Sequence, residues 1–414
     1  MSGSVLVITL FIALLLGMVL TSYLLLIRAQ NVSVARSQAW HAALTAAEAG
    51  VEEALAQLNV TPLATNLAFD AAWRSEADGY VLDQPRNLNV GPNLAGSSYS
   101  VRILSATPPV VSASIYATGY ANVPAISATM TRTLEITTTN APLFSVGAVV
   151  RDGFNLNGYS FTADSYDSDS WLYSNKSAGG KYDPNKRKQN GGVASTLGIL
   201  NASHVEIMGP LFLGAGGTND FASDFPVFND FNADLPEVTT PVLPGNVSAP
   251  EGRWYNAIYY DYWLDKDQHQ IVSLDGSVRV KDNVQTVLYV TGSVNITNLW
   301  VGEHASLKLY VGGGNAIIGR MFVAESASAF QYYGLPGNTN IVLAGTTNFI
   351  GTIYASNARL TTTGGGSTLD FQGALAVKSA ELFQHFRLHY DENLHRSPVH
   401  GPLRGFIVTG WREL

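Results

Sequence analysis

Four histidines lie close together late in the sequence, His385, His389, His395 and His400, with Asp391 and Glu392 between them. Imidazole and carboxylate groups at such spacing can move protons or hold a metal. His385 and His389 are four residues apart and would share one face of a helix. The stretch HFRLH lacks the glutamate of the HExxH pattern, and its surroundings read as strand, so no metal is assigned. A second acidic set, Asp164, Asp167 and Asp169, could offer oxygen ligands to calcium. Its spacing does not fit the EF-hand loop, and Asp and Ser in turns are the simpler reading. Between Ser277 and Ala380 the charged residues are few and scattered, and the sequence does not say whether any acids converge in one groove as glycoside chemistry requires. There is no G-x-S-x-G, phosphate loop or dinucleotide fingerprint. The expectation is a protein with no catalytic residue and no cofactor.

A third chemistry is stacking. RWYNAIYYDYWL, Arg253 to Leu264, gathers Trp254, Tyr255, Tyr259, Tyr260, Tyr262 and Trp263. Exposed rings there, Trp254, Tyr259, Tyr260 and Trp263 above all, could stack on sugars. Rings bury large areas, so a buried plug is the simpler expectation. KYDPNKRK, Lys181 to Lys188, reads as a solvated basic loop. The 24 Lys and Arg against 32 Asp and Glu give a net charge of −8. That argues against a nucleic-acid partner, whose phosphates need a basic surface. There is no cysteine among the 414 residues, so disulfides, thiolate metal sites and cysteine nucleophiles are excluded. An exported protein of this kind is held by its core, by a membrane or by assembly.

The elements that must carry these residues begin with an apolar run from Val5 to Ile27, free of charge until Arg28. It matches the ~20 residues that cross a bilayer, and Phe11, Leu16 and Leu20 are typical of it. A secretory signal fits less well, because the run is long and no A-x-A site follows. From Arg28 to Asn59 there is no proline and one glycine, Gly50. Alanine is abundant and Val51, Ala54, Leu55 and Leu58 recur at helical spacing. One helix is therefore predicted from Ser4 to about Leu58. Ala46, Ala47, Gly50, Val51 and Leu55 form a face on which another element can pack closely.

The Gly3–Ser4 junction, the apolar run from Val5 and AALTAAEAGVEEAL from Ala42 resemble the N-terminus of type IV pilins and pseudopilins, in particular PilX-like minor pilins. The resemblance implies cleavage between Gly3 and Ser4 by a prepilin peptidase. It also implies residence in the bacterial inner membrane before assembly, then packing of the helix with other pilin-like subunits in a filament displayed at the cell surface. Two features depart from that family. The leader has no basic residue, with Arg28 and Arg36 favouring the reverse orientation, and Ile8 stands where a glutamate is common. The second departure leans away from a major repeating subunit.

Residues 61–92 are polar and proline-containing, a connecting region. SYSVRILSAT, SASIYATGYA and SATMTRTLEITTT alternate at period two and predict a small antiparallel sheet ending near Thr139. The proline-rich stretch from Asp220 to Gly252 is expected to be extended. From Ser277 to Ala380 short apolar runs recur with Gly, Asn and Thr at roughly twenty-residue spacing. Such repeats must stack on neighbours to bury their apolar faces. A parallel β-helix is predicted over a β-sandwich, because Asn-Gly hairpin signals occur only at Asn157–Gly158 and Asn190–Gly191. ADSYDS, GTIYASNARLT, GALAVKSAEL and HYDENL resemble the β-solenoid-type domain appended to PilX-like proteins. The expected chain is α+β, mainly β, with a leader at 1–3, a helix at 4–60, a small β domain at 61–140, a β-solenoid head at 141–394 and a C-terminal cap at 395–414.

Overall fold

The computed structural model describes residues 3–60, 72–82, 84–88, 96–104, 112–124, 126–140, 143–219, 221–232, 235–243, 247–345, 347–396 and 406–414. The side chains of Gly3, Ser4 and Val5, and Pro62, Pro92, Pro244 and His400 altogether, lie outside what is described. The chain is mainly β, with one long N-terminal helix, an antiparallel sheet and a large mixed sheet. It divides into two units, Met1–Ala141 with Gly405–Leu414, and Pro142–Arg404.

In the smaller unit, helix α1 (Gly3–Val60) runs unbroken for 58 residues, or about 87 Å at ~1.5 Å per residue. No proline interrupts it, and its alanines favour it throughout. The sheet beneath contains β1 (Trp73–Glu76), β2 (Gly79–Leu82), β3 (Arg86–Leu88), β4 (Ser97–Leu104), β5 (Ser112–Val123) and β6 (Ala128–Asn140). All its pairs are antiparallel. Alternate residues of β4 to β6, among them Val101, Ile103, Ile115, Ala117, Leu134 and Ile136, are buried, as a half-covered antiparallel sheet requires.

The sheet's last strand is Phe406–Glu413, paired with β6 from Phe406 opposite Asn140 to Glu413 opposite Leu134. Of the stretch expected as a cap at 395–414, Gly405–Leu414 thus belong to the smaller unit. The long β6 would otherwise present an open edge. Ion pairs between Arg412 and Glu135 and between Arg132 and Glu413 hold the register. The Phe406 amide also donates to the Asn59 side chain near the end of α1 at 2.7 Å.

In the larger unit the strands from Ile258–Leu264 to Phe330–Gly334 pair in parallel with the next but one, whereas Asn348–Thr362, Thr368–Glu381 and His385–Asp391 pair in parallel in direct succession. Gln285–Val290 lies beside Ser306–Val311, which lies beside Phe330–Gly334. Leu274–Val280, Val294–Val301 and Asn315–Val323 form a second such series. The exception is the antiparallel hairpin of Glu251–Tyr255 and Ile258–Leu264, which makes the sheet mixed and departs from an all-parallel repeat. Its two-residue turn, Asn256–Ala257, has φ of 49° and 63°, the geometry that matches strand twist in tight hairpins. Alanine is a poor residue there, so no turn signal marks this hairpin in the sequence.

The strands do not stack in chain order. Thr368–Glu381 pairs with Ala148–Val150 and Phe154–Asn155, and His385–Asp391 pairs with Ser160–Tyr166. The first and last strands of this unit are thus neighbours. Inside runs a column of buried rings, Phe330, Phe349, Phe371, Phe386, Phe161 and Phe154, with successive centroids 4.5–6.0 Å apart.

Candidate functional site

Helix α1 has two halves with different surroundings. From Val7 to Leu26 its side chains are exposed, Phe11, Leu16 and Leu20 among them, and Ile27 is partly covered. By length and composition this stretch can cross a membrane. The Thr21 hydroxyl donates to the Gly17 carbonyl at 2.8 Å, which satisfies it without water. From Ala39 onward one face is buried, comprising Ala39, Ala42, Ala43, Ala46, Ala47, Gly50, Val51, Ala54 and Leu58. That face lies on β4, β5 and β6. A Cβ on Gly50 would meet Val101 at 2.9 Å and Tyr99 at 3.0 Å.

Ala46, Ala47, Gly50 and Val51 therefore pack on the chain's own sheet. The element that packs on this face is thus the chain's own sheet, and residues buried there have no surface left for a neighbouring helix. Leu55 is only half-buried. Glu53, beside this face, accepts from Tyr99 at 2.6 Å and pairs with Arg86 at 3.0 Å. Burial and this carboxylate raise the Tyr99 phenol to about 12.

In the larger unit, the pairing of first and last strands builds a polar groove of about 660 Å³. Outward-facing residues of adjacent strands fall in two rows. Asn348, Asp370, Arg387, Thr162 and Glu206 are opposite one another in succession. Gln372, His389 and Asp164 form the row beside it. His389 Nδ1 lies 2.6 Å from Asp164 Oδ1, and His389 Nε2 lies 3.6 Å from Asp370 Oδ1. The Tyr182 ring stacks on the imidazole at 3.7 Å, and its hydroxyl donates to Asp164 Oδ2 at 2.6 Å.

Burial alone would lower the His389 pKa, but hydrogen bonds and charge from Asp164 and Asp370 outweigh it and raise it. The same bond to His389, helped by Arg387, lowers Asp370. Burial, then the bond to Asp164, pushes the Tyr182 phenol up.

Tyr182 is placed by a loop tied down at several points. Asp167 pairs with Arg396 at 2.6 Å, Lys188 pairs with Glu392, and the Tyr182 amide donates to Gln372 at 3.1 Å. Lys186 donates to the carbonyls of Trp171 and Ser174. The expected solvated basic loop is instead a clasp. Asp391, behind it, accepts from the amides of Ser168 and Asn393 through Oδ1, while its Oδ2 has no partner among the described residues. Burial pushes its carboxyl up to about 6.

Other sequence candidates separate. Asp164 serves His389, Asp167 serves Arg396 and Asp169 pairs with Lys176 at 3.4 Å, so the three do not gather around one point. Among the described residues no group of His, Asp and Glu is arranged to hold a metal. His385 and His389 sit on a strand, and His385 instead meets the Ser160 hydroxyl at 2.7 Å.

The aromatic hairpin divides too. Trp263 and Tyr260 are buried, whereas Trp254 is 68 % exposed and Tyr259 46 %. The buried pair surrounds Arg279, itself 4 % exposed, together with Tyr255 and Trp300. Trp263, Arg279, Trp300 and Phe322 are successive partners across four strands. Sequence reasoning did not find this ladder, nor the groove around Asp370 and Arg387. Both arise from register between strands that are distant in the sequence.

Residues 261–397 match a family model described as a domain of unknown function, DUF7305. No curated protein matches the chain. Among solved structures, the chain is similar to the competence-associated pilin ComZ from Thermus thermophilus. That similarity has 11% identity and a TM-score of 0.30, and it covers 91% of this chain and 97% of that one. At such a TM-score two chains need not share a fold.

Proposed function

We propose that this chain is a non-enzymatic, type IV pilin-like structural subunit of the minor-pilin or pseudopilin kind. A prepilin peptidase would cut between Gly3 and Ser4. The apolar half of α1 would hold the subunit in the inner membrane, and would then pack with other pilin-like subunits in a filament. The larger unit would be a β-solenoid head displayed at the surface.

The observation that carries this reading is the division of one continuous helix. Its first half is apolar and exposed from Val7 to Leu26, while its second half is closed onto a sheet by small residues. An exposed apolar surface of that size needs lipid or other subunits around it. With Ala46, Ala47 and Gly50 already in use, subunit packing would fall to the half from Val7 to Ile27. Helix packing there must replace lipid contacts about as apolar as leucine, so close shape matters more than hydrophobicity. Parallel pairing between strands roughly twenty residues apart supports the solenoid reading of the head.

The arrangement of acids supports a non-catalytic head. Glycoside hydrolysis needs a carboxylic acid of raised pKa facing a second carboxylate. Asp164 is bound on both oxygens, by His389 and Tyr182, and Asp370 is shifted towards its ionised form. Asp370 and Glu206 are three strands apart, roughly 14 Å at ~4.8 Å per strand. N-terminal sequencing of protein recovered from sheared surface filaments tests the proposal. A chain beginning at Ser4 is expected. A chain that retains Met1 and is found only in the detergent-extracted membrane would reduce α1 to a plain anchor.

A further inference from the structure

The groove in the larger unit raises a question that helix assembly leaves open. Its two rows cross five adjacent strands from Asn348 to Glu206, a length of about 19 Å at ~4.8 Å per strand. That is long for a small metabolite and open enough for a chain-like ligand. Its charges balance, with Asp164, Asp370 and Glu206 set against Arg187, Arg387 and a His389 held towards its charged form. A bare anion or cation gains little from such a surface.

The groups that face outward are of both kinds. Glu206 and Arg187 have no partner among the described residues, and Asp370 meets Arg387 only at 3.7 Å. Gln372 spends its carbonyl oxygen on the Tyr182 amide, and among the described residues its NH2 has no partner. A hydroxyl group both donates and accepts, so it can satisfy carboxylates and guanidinium groups alternately, through charge-assisted bonds. Tyr182, Pro184 and Met208 add apolar patches to the lining, on which the C–H face of a sugar ring can rest.

We propose that this groove binds a neutral, hydroxyl-rich glycan chain laid across the strands, with Asp370, Arg387 and Glu206 as its hydrogen-bonding floor. His389 and Tyr182 act as positioning residues. His389 holds Asp370 ionised, and Tyr182 locks the far side of His389 through Asp164. The inference concerns the larger unit and does not rest on filament assembly.

The experiment uses the full-length protein in a polyoxyethylene detergent, because the head groups of maltoside detergents would compete. It is applied to an array of neutral, uronic and sulfated oligosaccharides, and hits are titrated by calorimetry. Saturable binding to neutral members is expected. The double variant Asp370→Asn/Arg387→Gln should weaken it at least tenfold, and Glu206→Gln, which disturbs no ion pair, about fivefold. Trp254→Ala should leave it within twofold. Thermal melts of each variant show whether it is folded, and Glu206→Gln keeps the test alive if the double variant is not. The proposal is overturned if no neutral glycan binds or if anionic members bind more tightly. It also fails if binding survives the groove variants, or is lost with Trp254 instead. Failure here would leave the N-terminal sequencing result untouched.

Discussion

In the smaller unit the helix lies so close to the sheet that a Cβ on Gly119 would be 1.9 Å from the Ala43 carbonyl oxygen and 2.6 Å from the Ala47 amide. In the larger unit six phenylalanine rings fill a column between parallel strands. One core works by having no side chain at its centre, and the other by having the largest available. A helix can approach a sheet closely only where both surfaces are small. Stacked parallel strands instead enclose an interior of fixed width, which large rings fill at native density. Where the helix meets β5, that strand accordingly carries Ala113, Ala117 and Ala121 around Gly119.

Two substitutions of opposite sense test this contrast and carry the largest expected effects. Phe371→Ala should cost the larger unit about 3–5 kcal/mol, since it empties the middle of the column. Gly119→Ala should cost the smaller unit about 3 kcal/mol, because the added methyl meets backbone that cannot rotate away. Gly50→Ala meets side chains at 2.9–3.3 Å and should cost closer to ~1 kcal/mol. Hydrogen exchange localises each effect. Phe371→Ala should raise exchange in the strands of the larger unit, and Gly119→Ala in α1 beyond Ala39 and in β5. If Gly119→Ala left exchange in α1 unchanged, close approach would not be what holds the helix.

The contrast extends to polar groups. The smaller unit buries Arg132, which pairs with Glu413, whereas the larger unit buries Asp391 with one oxygen unpartnered among the described residues. A carboxyl raised from 3.8 to about 6 binds its proton more tightly folded than unfolded. The stability contributed by this group is therefore greatest below pH 4, falls as pH rises through 6, and is level above that. The loss amounts to about 3 kcal/mol at neutral pH. Asp391→Asn keeps the acceptor for the Ser168 and Asn393 amides and has no charge to bury. It should stabilise the unit by up to about 3 kcal/mol at pH 7, with the gain vanishing below pH 4. Denaturant titrations at a series of pH values measure it, and a gain independent of pH would assign the effect elsewhere.

His389 has the same sign at higher pH. Its pKa is raised by Asp164 and Asp370 against the pull of burial. Its contribution is complete below the ordinary imidazole value and is lost as pH rises through the folded value. His389→Gln should flatten that part of the stability profile, by less than the Asp391 effect. NMR titration of the imidazole reads the shift directly.

The sequence made the helix legible because its signals are local, in apolar length, alanine content and the absence of proline. The alternation of β4 to β6 was visible for the same reason. The particular partner of Ala46 and Gly50 was not, since small residues look the same whether they face a sheet or another helix. The groove was hidden more deeply. Asp164 and His389 are 225 residues apart, and only the pairing of the first strands of the unit with its last brings them together. Read in place, Asp164 was one of three acids in a turn and His389 one of four histidines. The final strand misled by position, because Phe406–Glu413 follows the solenoid-like repeats in the chain yet pairs with β6.

The smallest expected effect concerns the one antiparallel strand pair of the larger sheet among the described residues. Asn256 and Ala257 both have positive φ, and Tyr255 faces Ile258 across the turn. Asparagine tolerates that conformation through its side chain, whereas the methyl of alanine crowds the following carbonyl at a cost of about 1 kcal/mol. Ala257→Gly removes the crowding but leaves the unfolded chain freer, which returns part of the gain. The net effect should be about +0.5 kcal/mol of stability, seen as a small rise in the unfolding midpoint. Ala257→Val should move it the other way by more than 1 kcal/mol, since a β-branched residue is an outlier at positive φ. If both variants left the midpoint unchanged, the hairpin would contribute nothing to the unit's stability. The parallel pairing of Ile258–Leu264 with Leu274–Val280 would then hold that strand by itself.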